Sequence, residues 1–148
     1  MEIERKFTIK TLPENLEKYP YHIIEQAYLN TAPVIRVRRQ DEEYYMTYKG
    51  GGMMAREEYN LPLDRASYEH LRAKADGNTI SKKRYLIPLD PYTIELDVFG
   101  PPFSNLIMAE VEFPTEEEAK AFVPPEWFDQ DVTFNPAFHN SNMSKMKF

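Results

Sequence analysis

Ionisable residues spaced two apart are the part of this sequence that could do chemistry. Glu2, Glu4 and Lys6 form one such run, and Arg36 with Arg38, Lys82 with Arg84, Glu95 with Asp97, and Glu110 with Glu112 form others. Residues two apart share one face of a β-strand, so an extended backbone would project each run's charges together. The alternate positions are largely apolar: Ile3 and Phe7, Ile35 and Val37, Ile94, Leu96 and Val98, Val111 and Phe113. Two more segments follow the rule, with Tyr45, Thr47 and Lys49 against Tyr44, Met46 and Tyr48, and with Arg56, Glu58 and Asn60 against Tyr59 and Leu61.

Two readings of these runs stand side by side. Any one of them is what the solvated face of a half-buried sheet shows. As a set they fit a barrel with a charged lumen, because like charges come in pairs and Ser, Thr and Gln are scarce among them. Adjacent carboxylates repel and are costly to bury alone. A hard divalent cation relieves that cost, and oxygen-only ligands point to Mg²⁺ or Mn²⁺ over zinc. Clustered Arg and Lys need an anion, and guanidinium forks match phosphate oxygens. Acids at one end and bases at the other would receive a polyphosphate chelated to a divalent cation. His22, His70 and His139 share no metal-site spacing and read as surface or structural residues.

The elements that must position these residues are mostly strands. Period-2 alternation predicts eight, over 2–9, 22–29, 34–39, 44–49, 56–63, 79–89, 93–99 and 106–113. Gly50-Gly51-Gly52 reads as a hairpin connection. Asp64 is placed to cap a helix over 64–75, and Thr115 with Glu118 forms a capping box for one over 115–123, stopped by Pro124-Pro125. A short helix over 13–19 is also expected. Short connections favour an antiparallel meander that closes or nearly closes, with helices outside. The fold class expected is α+β, mainly β, built on an eight-stranded antiparallel barrel.

Composition bounds the rest. The 148 residues suit one domain, and 42% hydrophobic with 14% aromatic content describes a globular chain. A net charge of -6 argues against nucleic acid as a partner. No stretch approaches the ~20 apolar residues of a membrane span. The absence of cysteine and a start charged from Glu2 fit a cytoplasmic protein. The expected state is a monomer or homodimer, with the Pro- and aromatic-rich tail from Pro124 to Phe148 packing on a neighbour or, as the favoured reading, plugging the chain's own barrel end.

Taken in order, these runs resemble the CYTH superfamily, the triphosphate tunnel metalloenzymes. Glu2-Ile3-Glu4-Arg5-Lys6 is similar to its E-x-E-x-K signature. R-x-R at Arg36 and Arg38, the lysine of Tyr48-Lys49-Gly50, K-x-R-Y at Lys82 to Tyr85, E-x-D at Glu95 and Asp97, and E-x-E at Glu110 and Glu112 follow in order. The resemblance runs from residue 2 to Trp127 and implies an eight-stranded tunnel that hydrolyses a triphosphate with one or two Mg²⁺ or Mn²⁺ ions. It implies metal ligation by Glu2, Glu4, Glu58, Glu95, Asp97, Glu110 and Glu112, with Glu95 at a less discriminating position. Lys6, Arg36, Arg38, Lys49, Lys82 and Arg84 would bind the triphosphate, and Lys145 would close the tunnel. Glu4, Lys6 and Tyr28 would take part in catalysis, Tyr28 by assisting proton transfer.

Two departures stand out: Asn60 occupies a position that often carries a second acid, and the Gly50–Met54 loop is short for gripping a base. Inorganic tripolyphosphate is therefore the leading substrate. A class IV adenylyl cyclase, a thiamine triphosphatase and a non-catalytic polyphosphate- or nucleotide-binding module are the alternatives.

Overall fold

The computed structural model describes residues Met1–Lys147; Phe148, the last residue of the tail, lies outside them. The described residues form ten antiparallel strands in one sheet. These are β1 (Glu2–Ile9), β2 (Tyr21–Thr31), β3 (Val34–Gln40), β4 (Glu43–Lys49), β5 (Ala55–Arg56), β6 (Glu58–Leu63), β7 (Asp76–Leu89), β8 (Tyr92–Phe99), β9 (Ile107–Glu112) and β10 (Phe128–Asp131). Three helices accompany them: α1 (Arg65–Arg72), α2 (Glu116–Ala121) and α3 (Asn140–Met143).

The neighbour order is β10-β1-β9-β8-β7-β2-β3-β4-β6, and β5 returns to pair with β1. Glu57 alone separates β5 from β6, so the two pieces make one stave that closes the ring. Glu2 pairs with Arg56 and Ile3 with Ala55 at the seam. Eight staves thus enclose a nearly closed barrel, and β10 adds a short ninth strand beside β1. The expected fifth strand, 56–63, is the one that the structure divides, because its two ends serve different neighbours.

Alternation puts the hydrophobic core outside the ring. Ile3, Phe7, Ile94, Leu96, Val111 and Phe113 point outward and pack under Ala119 of α2 and Phe128 of β10. On the opposite side Ala27 and Val37 pack under Tyr68 of α1. Asp64 caps α1 by accepting from the Ser67 amide, and Thr115 caps α2 by accepting from the Glu118 amide. Both helices stop earlier than expected: α1 at Arg72, and α2 at Ala121, where Phe122 is already extended ahead of Pro124. The expected helix over 13–19 is one 3₁₀ turn, Leu16–Lys18. Tyr59 and Leu61, on the outward face of β6, are 58% and 54% exposed, because α1 packs chiefly over β2, β3 and β4.

The tail beyond Pro125 carries structure that periodicity did not reveal. It forms β10, a 3₁₀ turn at Pro136–Phe138 and α3. Inward rows that are charged further along turn apolar here: Val34, Ile80, Phe99 and Met108 pack with Val132 and Met143 of the tail. One end of the barrel therefore has an apolar floor. The Asn78 amide donates to the Ser144 carbonyl at 2.6 Å, and Gly77 beside it has φ +73 with Ser144 where a Cβ would stand. No helix of the described residues is long and apolar enough to cross a membrane.

A Gly77→Ala substitution should therefore destabilise the protein by at least about 1 kcal/mol, from left-handed backbone strain alone. Urea unfolding reads this directly, and an unchanged midpoint would contradict the docking described.

Candidate active site in the barrel lumen

The remaining inward rows meet in a cavity of about 230 Å³. Register builds its walls. In β1 and β9, Glu4 lies opposite Glu112 and Lys6 opposite Glu110. In β2 and β3, Gln26 lies opposite Arg38 and Tyr28 opposite Arg36. In β7 and β8, Arg84 faces Asp97, and in β4 and β6, Lys49 faces Glu58. The runs read from the sequence thus converge on one enclosed space, and the solvated-face reading of them falls.

Most of the charges are paired across the lumen. Lys6 Nζ reaches Glu110 at 3.2 Å, Lys49 Nζ reaches Glu2 at 2.8 Å, and Lys82 Nζ reaches Asp97 at 2.8 Å. Arg84 grips Asp97 with two donors, at 2.8 and 3.0 Å, and also reaches Glu95 and Glu110. Glu58 lies 3.8 Å from Arg36 and 3.7 Å from Lys49. Burial works against ionising Glu110, but Lys6 and Arg84 outweigh it and hold the carboxyl well below its ordinary value. Asp97 is likewise held low by Arg84 and Lys82 against burial. Burial wins for Lys82, whose ammonium is lowered to about 8 despite Asp97.

Three sites are met less fully than these. The Glu4 carboxylate has no hydrogen-bond or ion-pair partner among the described residues, and burial, then Glu110, push it up to about 8. Arg36 Nε is buried with no acceptor. Arg38, only 6% exposed, reaches no carboxylate among the described residues. Burial and the guanidinium groups of Arg36 and Arg84 lower its pKa. One wall therefore presents an unpaired acid, and the other presents Arg36 Nε with no acceptor and Arg38 with no carboxylate.

The expected site residues divide accordingly. Glu2, Glu4, Lys6, Tyr28, Arg36, Arg38, Lys49, Glu58, Lys82, Arg84, Glu95, Glu110 and Glu112 all line the cavity. Asp97 lies behind it, fully buried beneath Arg84 and Lys82. Lys145 is exposed and sits on a separate shallow pocket with Tyr28 and Asp76, because the Ser144 carbonyl docks on Asn78 and turns the chain outward. The expectation that Lys145 closes the tunnel is corrected; His139, Asn140 and Ser141 line that end instead. His139 is thus a lumen residue, with Nε2 3.0 Å from the Thr133 carbonyl and its pKa lowered by burial. Asn60, at the position that often carries a second acid in the family, accepts from Thr47 Oγ1 at 2.6 Å.

No group of three acids or histidines among the described residues is drawn together as a ready cation site. The donor chemistry nevertheless fits a hard cation. The unpartnered Glu4 is surrounded by Glu2, Glu110 and Glu112, all oxygen donors. Counting Asp97, seven carboxylates meet seven cationic side chains around the lumen. A polyanion entering so balanced a space needs cations of its own.

A CYTH domain is matched over residues 1–124. The chain belongs to the CYTH family. Among curated relatives it is 38% identical to an inorganic triphosphatase of Nitrosomonas europaea, over 97% of this chain and 96% of the relative. It is 30% identical to an inorganic triphosphatase of Acetivibrio thermocellus, over 97% and 93%. A crystal structure of an inorganic triphosphatase superposes with a TM-score of 0.74 at 34% identity, over 99% of this chain and 96% of the other. A Hippeastrum protein with a dominant triphosphatase activity shares the fold alone, with a TM-score of 0.64 at 15% identity over 82% and 83%. The CYTH match ends before the tail that lines the closed end of this lumen.

The raised Glu4 pKa has a thermodynamic consequence in metal-free protein. Its carboxyl binds a proton more tightly folded than unfolded, so stability falls as pH rises from about 4.5 towards about 8. Glu4→Gln should remove that part of the slope and raise the melting temperature at pH 8 relative to the parent. Parallel melting-versus-pH curves for the two EDTA-treated proteins would contradict the assignment.

Proposed function

We infer that this protein is a metal-dependent triphosphatase, and that its substrate is inorganic tripolyphosphate, hydrolysed to pyrophosphate and phosphate in the barrel lumen. The observation that carries the reading is the cationic wall, with Arg36 Nε lacking an acceptor and Arg38 lacking a carboxylate, facing the unpaired Glu4 across one cavity. Such a wall asks for an anion with several oxygens, and the opposing acids ask for cations to accompany it. The inorganic triphosphatase relatives, matched over nearly their whole length, support the same substrate class.

Glu2, Glu4, Glu110 and Glu112 would hold Mg²⁺ or Mn²⁺, which when bound neutralises phosphate oxygens and activates a water for in-line attack. The chain's own contribution is positioning and charge. Arg36, Arg38 and Arg84 stabilise the negative charge that builds on the transferred phosphoryl group and the departing pyrophosphate. Lys6 and Lys49 stand at the junction of the two walls, anchored by Glu110 and Glu2. Tyr28 accepts a hydrogen bond from Gln26 Nε2 at 2.9 Å, which leaves its own hydroxyl proton to be donated into the cavity. Asp97 contributes by fixing Arg84, its two oxygens engaging two guanidinium donors.

Incubation with Mg²⁺ or Mn²⁺ and tripolyphosphate should give equimolar phosphate and pyrophosphate, with ATP cleaved more slowly and EDTA abolishing both. Folded Glu4→Gln should lose on the order of 10²–10³ in turnover. Cyclic AMP formed from ATP, or near-parental turnover by Glu4→Gln, would overturn the proposal.

A further inference from the structure

Six cationic side chains are buried around the lumen, and five reach a carboxylate: Lys6, Arg36, Lys49, Lys82 and Arg84. Arg38 is held by neutral groups. Its Nε and Nη2 donate to Gln26 Oε1 at 2.9 and 2.5 Å, and its Nη1 donates to the Tyr45 hydroxyl at 3.3 Å. A carboxylate at position 26 could make the same two bonds, but it would neutralise the guanidinium. An amide oxygen fixes the fork and leaves its full charge for an incoming anion.

The amide is itself held in one orientation. Gln26 is completely buried, and its Nε2 donates to Tyr28 Oη at 2.9 Å and to Asn140 Oδ1 at 3.1 Å. Flipping the amide would turn its NH₂ group onto the guanidinium and its oxygen onto Asn140 Oδ1, losing both Arg38 bonds and the Asn140 bond. Asn140 Oδ1 also accepts from Lys82 Nζ at 3.2 Å. Asn140 opens α3, in the tail beyond the CYTH match, so this network ties the closed end of the lumen to its cationic wall. Strand register completes it, since Gln26-x-Tyr28 lies directly opposite Arg36-x-Arg38.

We propose that Gln26, anchored by Asn140, is a positioning residue that holds Arg38 as an unneutralised guanidinium for the triphosphate. The proposal rests on the lumen being the triphosphate site. Gln26 touches no substrate atom in this account and acts through Arg38. Its loss is therefore felt as weaker substrate binding, and only where Arg38 is present. Asn140 acts one step further out, by fixing the Gln26 amide.

A double-mutant cycle tests this, using the parent, Gln26→Glu, Arg38→Ala and the double variant. Gln26→Glu is close to isosteric and keeps the oxygen that accepts both bonds of the fork while cancelling its charge, its second oxygen taking the place of Nε2 beside Tyr28 and Asn140. KM for tripolyphosphate with Mg²⁺ should rise on the order of tenfold in Gln26→Glu, as loss of a charge-assisted contact implies. In the Arg38→Ala background the same substitution should change KM by less than about threefold. Equal effects in the two backgrounds, or an unchanged KM in Gln26→Glu, would overturn the proposal. Asn140→Leu, which removes the anchor while leaving the strands intact, should shift KM in the same direction by a smaller factor, and an unchanged KM there removes Asn140 from the network.

Melting curves on each protein identify a variant that fails to fold; if Gln26→Glu does, the Asn140→Leu pair with and without Arg38→Ala decides the question. Calorimetric binding of tripolyphosphate to the same proteins separates the two readings. A parent that binds but does not turn over removes the hydrolase assignment and leaves the network to be judged by affinities. A parent that neither binds nor hydrolyses tripolyphosphate removes both.

Discussion

The physical constraint on which this molecule turns is charge held inside a barrel and only partly neutralised there. Taking a carboxylate or an ammonium group out of water costs several kcal/mol, and one opposite charge repays that only with good geometry and further hydrogen bonds. Arg84 meets the requirement through Asp97, Glu95 and Glu110, and Lys6 through Glu110 and the Phe138 carbonyl. Glu4, Arg36 Nε and Arg38 do not meet it with protein carboxylates or ammonium groups. The chain keeps these groups in an unfavourable state that an anion with accompanying cations would relieve, which is how a binding site of this kind is preorganised.

That arrangement forces the rest of the fold. A lumen filled with ion pairs supplies little hydrophobic stabilisation, so the apolar faces of the staves must be buried elsewhere. α1 covers β2 to β4 and α2 covers β1 and its neighbours, while the tail fills the remaining end with Val132 and Met143. Arg5 shows how closely the outer layer is tied to the inner one. It lies between Glu4 and Lys6 in sequence but points outward, donating to the Ala119 and Phe122 carbonyls at the end of α2 and pairing with Asp131 of β10 at 2.9 Å. One strand thus sets the acidic wall and pins the covering layer.

Much of this was legible in the sequence because strand periodicity is a local property. Glu2-x-Glu4-x-Lys6 must share a face once extended, whatever surrounds it, and the same holds for Arg36 with Arg38 and Glu110 with Glu112. Capping was legible for the same reason, at Asp64 and Thr115. Pairing between distant segments was not. That Gln26 would meet Arg38, or that Asn140 would meet both Gln26 and Lys82, depends on register and on the path of a tail with no periodic signal. Gln26 and Asn140 are uncharged and single, so a search for runs of acids and bases passes over them. Lys145 shows the converse: a charged residue near a closing element looked functional until the turn at Ser144 aimed it at solvent. The inward rows also ended sooner than their charged positions suggested, since Val34, Ile80, Phe99 and Met108 occupy lumen-facing positions and form the floor.

The most direct test of opposed, incompletely neutralised walls is a crystal structure with tripolyphosphate and Mn²⁺ bound, the metal located by its anomalous signal. The phosphate chain is expected inside the barrel against Arg36, Arg38 and Arg84, with manganese on the side of Glu4 and Glu112. Phosphate bound on the outer surface, or manganese held away from Glu4, would contradict it.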